Sequence, residues 1–248
     1  MAAQSRPPHR APAILLTRPI AQSLRFAQTL RDRFGSELSI VISPLMETRF
    51  LEPALPVQPW EALILTSETA AKFMQRISAQ NKWMPERAFC VGDRTALVAA
   101  EAGLKTMSAQ GDANALYDLI LAQKVMGPLL HLRGEESRGD LAKRLVSAGL
   151  ETFEAVIYRQ IPQPMTVEAI TLLTGKDPVL VPLFSPRSAE LFDDEFRRIG
   201  GQAFVIVAAL SRAVAMAFSG NLVNVATQPD AAAVVEILAK HIPDSGTA

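Results

Sequence analysis

In the stretch EALILTSETAAKFMQR (61–76), Thr66 and Ser67 close the apolar run Ala62–Leu65, and a helical pattern starts straight after them. Two short hydroxyls at a strand-to-helix turn can accept the first helix N–H groups. They can also face an anion drawn to the positive end of the helix dipole. Neither GxGxxG nor GxxxxGK[ST] occurs, and no lysine stands where a phosphate would need one, which argues against a nucleotide-using α/β enzyme. A carboxylate-bearing ligand suits the pair better. Similar residues sit where other apolar runs end: Thr17 with Arg18, Gly92 followed by Asp93 to Thr95, Arg133 with Gly134, Ser185 with Arg187, and Ser211 with Arg212. For any one Ser or Thr, an N-cap worth about 1 kcal/mol is reason enough. As a set they point to a ligand, because independent caps need not be matched by arginines.

Lys+Arg and Asp+Glu balance at 25 each, so no global field recruits nucleic acid or an anionic membrane, and local groups must meet any anion. One cysteine, Cys90, and three scattered histidines allow neither a disulfide framework nor a metal cluster, so no metal is expected and a reducing cytoplasm fits. Cys90 reads as a small buried hydrophobe. The Pro-rich, basic start MAAQSRPPHRAPA has no apolar core and reads as a disordered tail over 1–12. The stretch AFVIVAALSRAVAMAF carries Arg212 and is too short to span a bilayer.

The elements that must position these residues alternate along the chain. Apolar runs at 13–17, 39–43, 62–66, 88–92, 128–132, 178–185 and 203–207 are each strand-like. Helical patterns follow at 21–33, 68–79, 93–102, 138–148, 186–199 and 209–219, several closed by a glycine. Such alternation predicts parallel sheets flanked by helices. The chain also repeats itself: Ser67 to Ser185 is an offset of 118, Asp112 to Asp230 again 118, Thr95 to Ser211 116, and Arg18 to Arg133 115. Four landmarks in near register imply a duplicated βα unit, and two copies imply two similar domains with a ligand cleft between them.

ILLTRP, ILTSETAAKF, CVGDRTALVAAEAGL, GDANAL, LLHLRGEESRGDLAKRLVSAG, AVIYRQ and LFSPRSAELF occur in the order found in uroporphyrinogen-III synthases, and the similarity spans about Ala13 to Leu238. The resemblance implies two α/β domains joined by a two-stranded linker. Residues 13–43 plus 161–248 would form one domain and 51–155 the other, with linker strands at 44–50 and 156–160. It implies a monomer without cofactor, acting on hydroxymethylbilane handed over by the preceding deaminase. Thr17, Arg18, Thr66, Ser67, Gly92, Thr95, Arg133, Gly134, Ser185 and Ser211 would hold substrate carboxylates. Aligned on Thr95 and Ser211, the second copy places Ala208 where the family has a glycine like Gly92, which would crowd that turn.

The implied reaction is closure of a linear tetrapyrrole with ring D inverted and water lost, a lyase reaction that electron-rich pyrroles drive unaided. The enzyme's task would be to hold the chain in the inverted arrangement. Tyr158, in VIYR, resembles the tyrosine that the family turns toward the substrate, and a phenol can donate to the departing hydroxyl; the bland reading is that it packs a strand. Arg138 and Lys143 read as a solvated face, His131 as a satisfied histidine, Trp60 and Trp83 as domain-edge packing, and Tyr117 as near-core. The alternative function is a non-catalytic two-domain module that binds a carboxylated small molecule or tetrapyrrole without directing the isomer formed.

Overall fold

In the computed structural model, residues 11–55, 58–77, 84–136, 139–220 and 222–242 are described. The elements run β1 (Ala13–Leu16), α1 (Ile20–Phe34), β2 (Ile40–Ile42), β3 (Met46–Phe50), β4 (Ala62–Leu65), α2 (Glu68–Ile77), β5 (Arg87–Cys90), α3 (Asp93–Glu101), β6 (Lys105–Ser108) and α4 (Ala113–Ala122). They continue as β7 (Leu129–Gly134), α5 (Leu141–Ser147), β8 (Thr152–Pro162), α6 (Val167–Thr174), β9 (Val179–Leu183), α7 (Pro186–Arg198), β10 (Val205–Ala209), α8 (Arg212–Ala215), β11 (Leu222–Val225) and α9 (Ala231–Ala239). Two compact units result: unit 1 from Met1–Glu47 with Ile161–Ala248, and unit 2 from Thr48–Gln160.

Unit 1 holds a sheet ordered β11-β10-β9-β1-β2; the other sheet is ordered β3-β8-β7-β4-β5-β6. The ladders joining β1, β2, β9, β10 and β11 are parallel, as are those joining β4 to β8. The expected parallel sheets flanked by helices are present. The apolar runs are continuous because each sheet is covered on both faces. In β1, Leu15 enters one cluster with α6, α7 and α8, while Ile14 and Leu16 enter another with α1 and α9. In β4, Leu63 and Leu65 pack with α2 and α3, and Ala62 and Ile64 with α4 and α5.

The strand equivalences follow from the ladders. Ile14 lies opposite Leu180 and Leu129 opposite Ala62, so β1 corresponds to β7 at an offset of 129 − 14 = 115, given β4 to β9 at 180 − 62 = 118. Val91 N–H donates to Leu65 C=O and Ala109 N–H to Cys90 C=O; Leu210 N–H donates to Leu183 C=O and Ala226 N–H to Ala209 C=O. Cys90 therefore corresponds to Ala209, an offset of 119, and Gly92 to Ser211. This corrects the expectation for Ala208. It is a buried β10 residue inside the sheet, and the turn residue matching Gly92 is Ser211. The short repeated runs of Ala and Val allowed a three-residue slip that only the ladder hydrogen bonds remove.

Two helices also start later than their periodicity suggests. The pattern at 209–219 is a strand end, the Ser211 cap and the single turn α8. The pattern at 138–148 becomes α5 after Gly139, whose φ of +104° is the left-handed region glycine favours. A third, α1, begins at Ile20, one residue earlier than the pattern. Trp60 is a buried member of the core beside α2 and α3, not an edge residue. Trp83, Arg138 and the start of the N-terminal tail lie outside the described residues.

Candidate functional site

In unit 2 the chain leaves β4 toward β5 and leaves β7 toward β8, in opposite directions across the sheet. The helices after them, α2 and α5, cover opposite faces. Such a switch point opens a crevice at the carboxyl ends of the strands, where ligands of α/β sheets bind. A pocket of about 530 Å³ lies there, lined by Thr66, Ser67, His131, Gly134, Arg144 and Tyr158 among others.

Ser67 caps α2: its Oγ accepts from Ala70 N–H at 3.1 Å. The same Oγ lies 3.1 Å from the Tyr158 hydroxyl. Tyr158 reaches this place through a bulge. Arg133 pairs with Val156 but Gly134 with Tyr158, so the ladder skips Ile157. Gly134 is needed for the ring to lie there, because a Cβ on it would stand 2.7 Å from two ring carbons and 2.9 Å from the hydroxyl of Tyr158.

Thr66 does not share the cap. Its Oγ1 lies 3.2 Å from His131 Nε2, and His131 Nδ1 lies 3.3 Å from Glu154 Oε1. His131 is only 3% exposed, and burial is the largest influence pushing its pKa below the ordinary value, opposed by Glu154 and aided by Arg133. Arg133 Nε is 3.0 Å from the same Glu154 oxygen, and its NH1 donates to the carbonyls of Gly134 and Glu135 at 3.0 and 3.4 Å.

Thr66, Ser67, Gly134 and Tyr158 are thus brought to one pocket, while the guanidinium of Arg133 is turned to neighbouring carbonyls and Glu154. Gly92 is the N-cap of α3, with extended φ of −153° and nothing within 4 Å of a Cβ, so neither backbone nor crowding demands glycine there. Thr95 lies in the first turn of α3, at the helix start, and is largely buried. In unit 1, Thr17 is fully buried after β1. Arg18 donates to Gln22 at 3.1 Å and lies 4.0 Å over the Phe184 ring. Ser185 caps α7 in a box with Ser188, and Ser211 caps α8 at 3.4 Å from Val214 N.

Arg144 in the pocket lining and Glu154 behind His131 were not singled out in the sequence. Glu154 stands in a strand pattern with no motif. Arg144 belongs to the face read as solvated; it donates to Asn114 Oδ1 at 2.8 Å and lies 4.3 Å over Tyr117. The signal for Arg144 was its place in the helix that follows β7, on the switch-point side. Among the described residues, no cluster of His, Cys, Asp and Glu could hold a metal ion, and no helix is long and apolar enough to cross a membrane.

A family model described as "Uroporphyrinogen-III synthase HemD" matches residues 25–237. A search of curated proteins finds no match. Among solved structures, the crystal structure of uroporphyrinogen-III synthetase from Helicobacter pylori 26695 superposes with a TM-score of 0.64 at 16% identity, covering 92% of this chain and 99% of that one. At that identity the likeness is one of fold.

Proposed function

The chain belongs to the uroporphyrinogen-III synthase family, whose work is tetrapyrrole biosynthesis, and on that premise we propose that it is a cyclising lyase that closes hydroxymethylbilane to uroporphyrinogen III at the pocket of unit 2. The observation that carries this reading is the 3.1 Å contact between Ser67 Oγ and the Tyr158 hydroxyl at the mouth of the β4/β7 switch point. Ser67 Oγ already accepts the Ala70 N–H. Donating its own proton to the Tyr158 oxygen frees the phenol proton for the ligand.

Tyr158 then protonates the hydroxyl of the terminal hydroxymethyl group, which departs as water and leaves an azafulvenium cation and the tyrosinate. The substituted carbon of ring D attacks it to give a spiro intermediate, which fragments and closes again with ring D inverted. The proton lost as the last pyrrole regains aromaticity returns to the Tyr158 oxygen, so water is the net loss. General-acid assistance of this kind is worth roughly 10²–10⁴-fold. The rest of the task is to favour the inverted closure over the direct one. Free N–H groups at the start of α3, behind Gly92, suit carboxylates of the substrate. The protein is read as a cytoplasmic monomer that receives its substrate from the preceding deaminase.

The test is the isomer formed. Hydroxymethylbilane is generated by a deaminase in the presence of the protein, and the oxidised porphyrins are separated by chromatography. Predominant isomer III, absent from the control without protein, is the expected result. Isomer I alone from folded protein overturns the reading in favour of a binding module.

A further inference from the structure

Thr66, His131 and Glu154 form a polar line from the pocket into β7 and β8. The same three places in unit 1, found through the ladders, carry Phe184, Leu16 and Ile42. Those three pack in one apolar cluster. The sheet is therefore built equally well with hydrocarbon at these positions, and burying an imidazole in one copy has a cost the fold does not require. What the line does instead follows from its proton count. Glu154 Oε1 stands 3.3 Å from Nδ1, outside hydrogen-bond alignment, yet its negative charge beside that nitrogen favours the ring proton on Nδ1, and Nε2 of a neutral imidazole keeps its lone pair. Burial holds the ring in that neutral form. Thr66 must then donate its single O–H to Nε2. Its oxygen turns lone pairs, and no proton, toward the pocket. A carboxylate would be repelled there; an N–H donor would be held.

Resting on the synthase reading, we propose that Thr66 is a hydrogen-bond acceptor for a pyrrole N–H of the bound tetrapyrrole, and that His131 is the positioning residue that fixes this polarity. The adjacent hydroxyls of Thr66 and Ser67 thereby divide the labour. Ser67 serves Tyr158 and the α2 cap, and Thr66 registers the pyrrole ring rather than its acid side chains.

Two measurements on the full chain test this. Long-range proton–nitrogen correlation spectra of the imidazole rings at neutral pH, with His131→Leu used to identify the signal among three histidines, report the tautomer directly. The expected result is a protonated Nδ1 and a bare Nε2; a protonated Nε2 overturns the proposal whatever the activity. Steady-state cyclisation of hydroxymethylbilane by Thr66→Ser and Thr66→Val supplies the second. The serine variant is expected to keep the wild-type KM. The valine variant is expected to raise it roughly three- to tenfold, the size of one lost hydrogen bond, with kcat held. A valine variant equal to an active wild type overturns the proposal alone. A wild type that gives no isomer III overturns the synthase reading and the proposal with it.

Discussion

The β4/β7 switch point of unit 2 and the β9/β1 switch point of unit 1 share a strand order, a parallel register and a serine cap, Ser67 in one and Ser185 in the other. Their side chains differ in kind. Unit 1 closes its switch point with Phe184 beneath the Arg18 guanidinium, Leu16 and Ile42, and its serine is committed to a capping box with Ser188. Unit 2 carries Thr66, His131 and Glu154 at those places, and its serine also meets a tyrosine brought in by the bulge opposite Gly134. One scaffold built twice thus shows which residues the fold needs and which it merely tolerates. Caps and strand registers recur; the polar line and the tyrosine do not. Arginine position recurs without arginine role, since Arg18 lies on an aromatic ring and Arg133 on carbonyls and a carboxylate.

The comparison can be broken most sharply at Tyr158. Tyr158→Phe is expected to slow cyclisation at least about 100-fold with an unchanged Tm, since it removes the proton donor and keeps the ring. A folded phenylalanine variant with wild-type turnover would remove Tyr158 from the chemistry. Gly134→Ala comes next. Its methyl would overlap the Tyr158 ring and push the hydroxyl away from Ser67. Turnover is expected to fall by up to about 100-fold, the cost of a small misplacement, while denaturation changes little because the displaced atoms are the far end of one side chain. Retained activity would show that the ring's place is not what matters.

Ser67→Ala and Ser185→Ala form a matched pair. Each removes an N-cap, so each is expected to lower stability by about 1 kcal/mol in denaturant titration. Turnover is expected to drop further for Ser67→Ala, which also strips Tyr158 of its partner; equal kinetics in the two variants would count against the assignment of the site to unit 2. The smallest effect concerns His131→Leu, the exchange that copies unit 1. A histidine held below its ordinary pKa is less protonated in the folded protein than in the unfolded chain. Its contribution is therefore complete above the unfolded value near 6.5 and is lost as pH falls through it. Wild type is expected to lose more stability than His131→Leu between pH 7 and pH 6, by less than about 0.7 kcal/mol, the limit for a ring that takes up no proton at all. Parallel stability curves for the two would show that the imidazole is not kept neutral.

Much of this arrangement is legible in the sequence, and the legible part has a common cause. Strand runs, helix starts and caps are local. Alternation of apolar runs with helical periods gave the parallel α/β class, Asp112 and Asp230 mark two caps that both form, and the motif order gave the family. The duplication was visible because its landmarks lie on separate elements. Its register was not: Ala and Val repeat too often around 205–215 to choose between offsets of 116 and 119, and the choice falls to the hydrogen bonds of Leu65, Cys90, Leu183 and Ala209. The pairing of Thr95 with Ser211 came from the same slip, since Ser211 matches Gly92.

What the sequence determined by itself is therefore the set of elements and their chemistry at each turn, because propensity, periodicity and capping act within a few residues along the chain. Which of those turns share a pocket is settled only by the folded chain. Ser67 meets Tyr158 across 91 residues and Thr66 meets His131 across 65. Strand order, the bulge opposite Gly134 and the packing of two sheet faces set those meetings. The direction of a single proton on His131 depends on a carboxylate from a neighbouring strand. No local pattern encodes that neighbour, because parallel strands adjacent in a sheet are joined through a helix and their register is fixed by the whole ladder rather than by any turn between them.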